Sequence, residues 1–112
     1  MNDKITPLQI LKDKHADFVK SRNWTEFNTP KNLAMSIAIE ASELMEIFQW
    51  LTAEESENIR ENDEEFIHLK EEMADVVIYM MALANRLNID LTEAIVDKMA
   101  KNEKRFRRNE GG

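Results

Sequence analysis

The chain has 112 residues, 15 of them basic and 22 acidic, for a net charge of −7, and it contains no cysteine. That length fits one domain, residues 1–112, with a core of its own. The missing cysteines exclude a disulfide framework, a thiolate metal site and a cysteine nucleophile, while the acidic balance argues against nucleic-acid binding and leaves room for a small anionic substrate if a metal ion bridges the charges.

The opening residues, MNDKITPLQI, hold no apolar run of signal-peptide length, and no stretch approaches the length needed to span a membrane. The expected compartment is the cytoplasm. Thr6-Pro7 places a hydroxyl before a proline at a helix start, which predicts a first helix over 7–21, followed by a loop over 22–29. Thr29-Pro30 repeats the signal and predicts a long helix over 30–51. Thr52 with Glu55 reads as a capping box for a short polar helix over 53–60, and Asp63 as the cap of a long helix over 64–87. Asp90 with Glu93 starts the last helix, 91–107, and a loose tail is expected from Arg107 onward. Both glycines stand at the extreme C-terminus, too few turn formers for a set of strands. The chain reads as all-α with four principal helices.

Turning about 100° per residue around the helix over 30–51 puts Leu33, Ile37, Leu44, Ile47, Phe48 and Leu51 on one stripe. Glu40 falls near the centre of that stripe and Glu43 at its edge. In the helix over 64–87, Leu69, Val76, Tyr79, Met80, Leu83 and Leu87 make the corresponding stripe, with Glu72 near its centre and Asp75 at the same edge. The two acidic pairs are 32 residues apart and carry the same apolar pattern behind them. Glu54, Glu55, Glu57, Glu61, Glu64 and Glu65 read instead as solvated faces making local salt bridges, and Glu46 and Glu71 as surface residues pointing away from the stripes.

Carboxylates converging in a partly dry core repel one another and are poorly solvated, and a divalent cation removes both penalties. Oxygen-only ligation points to a hard ion, Mg²⁺ or Mn²⁺. A di-iron site of the ferritin type needs Glu-x-x-His, and neither His15 nor His68 stands three residues after a candidate glutamate. In the last helix Leu91, Ile95, Lys98, Asn102 and Arg105 share a face on which apolar residues give way to cations. Beside a metal-bound triphosphate, Lys98, Asn102 and Arg105 become phosphate contacts; without one, the two cations pair with the acidic helices. Trp24, Phe27 and Trp50 offer flat surfaces for a nucleobase, with His15 or Asn32 supplying hydrogen bonds, or else they close a small core or a subunit interface.

The stretches HADFVKSRNW (15–24), FNTPKNL (27–33), EASELMEIFQW (40–50), EEMADVVIY (71–79) and DKMAKNEKRF (97–106) resemble the MazG-like all-α nucleoside triphosphate pyrophosphohydrolases, and within them the dCTP pyrophosphatase branch. The resemblance implies a four-helix-bundle-like fold with a short extra helix and a Mg²⁺-dependent enzyme. Its substrate would be a (deoxy)nucleoside triphosphate, dCTP or a modified dCTP above all, split into monophosphate and pyrophosphate in nucleotide pool sanitation. By the same resemblance Glu40, Glu43, Glu72 and Asp75 hold the metal, His15, Trp24, Trp50 and Tyr79 surround base and sugar, and Lys98 and Asn102 hold phosphates. It further implies a homodimer or homotetramer whose neighbouring subunits complete each site. One departure is Phe106-Arg107, where the family often has Tyr-Pro; the lost hydroxyl shifts weight to Arg105. In the mechanism expected, Glu43 positions or deprotonates the attacking water. A dUTPase-like or broad-specificity enzyme and a non-catalytic helical interaction module stay open as alternatives.

Overall fold

The computed structural model describes residues 1–107. Helices α1 (Leu8–Ser21), α2 (Pro30–Phe48), α3 (Ala53–Glu57), α4 (Asp63–Leu87) and α5 (Leu91–Arg105) follow in order, with a 3₁₀ turn at Ile59–Glu61. The described residues contain no strand, and none of their helices is long and apolar enough to cross a membrane. Of the tail expected beyond α5, only Arg107 is described; the rest lies outside the described residues.

The caps explain most helix starts. The Thr29 side chain accepts from the Asn32 backbone N–H with Pro30 at the first position, and Thr52 and Glu55 form the full reciprocal box. At α5 the Asp90 carboxylate accepts from the Glu93 N–H. Two starts differ from expectation. Pro7 itself is the capping position of α1, because the Thr6 hydroxyl accepts from the Asn2 N–H instead. Asn62, not Asp63, caps α4 by accepting from the Glu65 N–H, one residue earlier than expected.

Two helix ends turn on asparagine. Asn23 and Asn88 have φ of 58° and 57°, the left-handed region that glycine ordinarily fills. After α1, the Trp24 N–H donates to Val19 O and the Asn23 N–H to Lys20 O. After α4, the Ile89 N–H donates to Ala84 O and the Asn88 N–H to Asn85 O. Both sets are the crossed bonds of the Schellman motif, which satisfy last-turn carbonyls and redirect the chain.

α4 is the hub. It packs along α2 on one side and against α1 on another. Leu33, Ile47, Met81, Ala82 and Ala84 are the buried apolar residues. Met81 and Ala84 lie off the Leu69–Leu87 stripe, and α1 covers part of the α4 face that carries Met81. The stripe residues Met80 and Leu87 stay 43% and 52% exposed, beside Met73 and Val77 at 51% each. Among the described residues α5 packs extensively against none of the other helices, so it does not close a four-helix bundle within one chain. The Cα radius of gyration is 17.1 Å, against about 13 Å for a compact domain of this size.

Candidate functional site

The α2–α4 pairing brings the two acidic pairs together. Carboxylate oxygens of Glu40, Glu43 and Glu72 all lie within 4.8 Å of one another, and Asp75 is near enough to Glu40 to raise its carboxyl. Helical spacing makes this cluster: Glu40 and Glu43 sit one turn apart on α2, Glu72 and Asp75 one turn apart on α4.

Crowding and burial leave a chemical signature. Burial is the largest influence on Glu40, followed by the nearby Asp75 carboxyl and the charge of Glu43, and together they push its carboxyl from 4.5 up to about 7. Glu72 is also raised, first by burial and then by the charge of Glu43, against a smaller lowering by His68. Glu72 Oε2 is buried with no hydrogen-bond partner. A buried carboxylate oxygen without a donor is a costly arrangement that a bound cation relieves. The donor set is oxygen only, so the residues fit a hard divalent ion.

Around this cluster lies a hollow of about 360 Å³ lined by Glu43, Glu46, Ile47, Gln49, Glu65, His68 and Glu72. Glu46 and Glu65, read from the sequence as surface acids, therefore border the site. His68 follows neither acidic pair at the di-iron spacing, standing three residues after Glu65 instead; its Nε2 lies 3.5 Å from Glu72 Oε1 and its Nδ1 4.0 Å from Glu65 Oε1. The signal that could have found it is the i,i+4 spacing to Glu72, which puts both on one face of α4.

The aromatic residues form a second group. His15 stacks on Phe18 with ring centroids 5.9 Å apart, and Phe18 meets Trp24 edge-on at 5.4 Å. The Arg22 guanidinium covers the Phe18 ring at 4.5 Å. Phe18 is thus the centre of a group in which the sequence reading named only His15 and Trp24. Burial holds the His15 imidazole below its usual value, so it is neutral near pH 7. It borders a cleft of about 600 Å³ between α1 and α4 that Phe18, Ile78 and Met81 also line. The 22–29 loop is tied down by Arg86, which donates to Thr25 O at 2.8 Å. Asn32 donates one side-chain amide N–H to Phe27 O at 2.9 Å, which ties the loop to the start of α2.

Other expected site residues stand apart. Tyr79 is half-buried on α4. Trp50 lies in the turn after α2 rather than on the helix, and it is 87% exposed. Lys98 and Asn102 are carried on α5, away from the packed helices, and Arg105 rests over the Phe106 ring at 4.9 Å. The charges that shift Glu40 and Glu72 come from Glu43, Asp75 and His68, with no α5 cation among them. Neutralisation of the acidic pairs by Lys98 and Arg105 of the same chain is therefore not what the structure shows.

The chain is 37% identical over 99 residues to dCTP pyrophosphatase 1 of Bos taurus, covering 88% of this chain and 59% of that protein. It is 38% identical over 99 residues to dCTP pyrophosphatase 1 of Homo sapiens, covering 88% of this chain and 58% of that protein. The chain thus spans less than two thirds of the length of these curated relatives. The crystal structure of a pyrophosphatase from Archaeoglobus fulgidus DSM 4304 superposes with a TM-score of 0.81 at 39% identity, over 96% of this chain and 99% of that one. Residues 35–112, which include both acidic pairs, match the MazG-like family, and with the relatives' identity and the shared all-α fold this establishes that the chain belongs to the MazG-like family.

Proposed function

We propose that the chain is a Mg²⁺-dependent nucleoside triphosphate pyrophosphohydrolase that converts dCTP or a modified dCTP to the monophosphate and pyrophosphate. The observation that carries this reading is the buried, partnerless Glu72 Oε2 inside a cluster of carboxylates. Support for the substrate comes from the relatives named dCTP pyrophosphatase 1 and from the structural neighbour named a pyrophosphatase.

Glu40, Glu43, Glu72 and Asp75 would hold the ion, which when bound supplies neutralising charge for a triphosphate. Glu43 is the exposed member of the four. It orients a water towards the α-phosphorus and takes its proton as the new P–O bond forms; the α–β bridge bond breaks and pyrophosphate leaves. His15 and Trp24 present ring faces and a neutral imidazole to the base, with Trp50 and Tyr79 as further walls.

The rest of the site comes from a second copy of the chain in a homodimer or homotetramer. The exposed apolar row Met73, Val77, Met80 and Leu87 and the detached α5 support this. Lys98, Asn102 and Arg105 then hold phosphates across the interface. The compartment consistent with this chemistry is the cytoplasm, and the role is nucleotide pool sanitation.

The test is pyrophosphate release from a panel of dNTPs, NTPs and 5-substituted dCTP analogues, with Mg²⁺ or Mn²⁺ and with EDTA. Metal-dependent release that peaks at dCTP or an analogue is the expected result. A peak at dUTP would replace the substrate, and silence across the panel from folded, metal-loaded protein would favour an interaction module.

A further inference from the structure

Lys12 is the only buried charged residue among those described, 7% exposed on the second turn of α1. Burying an ammonium is costly unless its donors are used. Among the described residues it has no carboxylate partner; its Nζ donates to Ile89 O at 2.8 Å, across 77 positions of sequence. A return bond runs beside it, with the Asn85 side-chain amide donating to Lys12 O at 3.0 Å. Both bonds meet at the left-handed corner after α4, where Asn88 turns the chain and the next residue after Ile89 is Asp90, the cap of α5. The corner also gathers the carbonyl ends of α4, which favour a cation.

The placement has a consequence for α5. Within one chain α5 packs extensively against no other helix, so its tie to the chain's own body is made at its root. That root is held on one side by the Schellman bonds of α4 and on the other by Lys12. We infer that Lys12 is a positioning residue: its buried ammonium pins the α4–α5 corner to α1 and so fixes where α5 carries Lys98, Asn102 and Arg105. This rests on the reading, made above, that those three residues hold phosphates. Lys12 touches no substrate, and it acts through α5.

The absence of cysteine makes the test clean. Asp13→Cys on α1 and Lys101→Cys on α5 accept spin labels, and labelled chains are diluted into unlabelled protein so that only distances within one chain are read. The parent should give one narrow distance distribution. Lys12→Met, which keeps the aliphatic stem, should shift or broaden it and raise KM for the triphosphate about tenfold while kcat changes less than about twofold, the pattern of weakened substrate binding. Lys12→Arg should restore both readouts. If Lys12→Met does not fold, Asn85→Ala removes the return bond and should broaden the same distribution. An unchanged distribution in a folded Lys12→Met protein overturns the inference, as does a changed distribution with unaltered KM. Lys98→Gln separates the two ideas: if its KM equals the parent's, the phosphate reading of α5 fails, and the distance measurement alone judges the pin.

Discussion

Glu40 shows what the acidic cluster does to a single side chain. Its carboxyl is pushed up to about 7 by burial, by the nearby Asp75 carboxyl and by the charge of Glu43. Between 4.5 and 7 the folded protein then binds a proton that the unfolded chain has released, so metal-free stability falls as pH rises through that window. Thermal melts in EDTA should show the midpoint dropping between about pH 5 and pH 7.5, and Glu40→Gln should flatten the slope. Protons and cation compete for the same oxygens, so metal affinity should rise over the same range. Glu72→Gln should abolish the stabilisation by Mg²⁺, which for one site is about 2.7 kcal/mol at a hundredfold excess over Kd. The same change should lower kcat on the order of 10²-fold or more. Retained Mg²⁺ stabilisation in that variant would remove Glu72 from the metal site.

At the scale of elements, the two asparagine corners account for how a chain with no internal glycine turns its helices. A left-handed residue with a side chain costs about 1–2 kcal/mol unless it is glycine or a short polar residue. Asn88→Ala should therefore lower stability by about 1 kcal/mol, and Asn88→Gly should leave it level or raise it, read as shifts in the denaturant midpoint at constant slope. These corners also mark how far the sequence could be read. The helices and their order were legible because prolines, hydroxyl caps and apolar stripes agree on the same boundaries. The left-handed residues were not, because asparagine is common in loops and no glycine flagged the position. The acidic pairs were legible from their period, since two E-x-x-(E/D) pairs set on matched apolar stripes are brought together when those stripes pack on each other. His68 and Glu46 were not, because whether a side chain at a stripe's margin borders a hollow depends on the tilt between α2 and α4. Trp50 was placed on a helix that in fact ends at Phe48, two residues before it.

At the scale of the whole molecule, one chain does not bury what its sequence offers. Trp50, Met45, Ile39, Val77 and Met99 remain more than half exposed, a quantity of apolar surface that isolated soluble domains rarely leave uncovered. The face on α4 that includes Met73, Val77 and Met80 should accordingly be an interface between copies. Light scattering coupled to size exclusion should give a mass of two or four chains, and Val77→Glu should reduce it, with loss of pyrophosphate release in step. A monomeric parent that still turns over substrate would refute the shared site.

The bond between Lys12 and Ile89, spanning 77 positions, also bears on the order in which the molecule assembles. Bringing such distant residues together closes a long loop, and that entropy is lost before any contact rewards it. α2 and α4 are separated only by residues 49–62 and can pair early; α1 gains its seat only once the end of α4 exists. Docking of α1 is thus among the last events of folding, and its undocking among the first of unfolding. The N-terminal helix becomes the latch of the structure's lifetime.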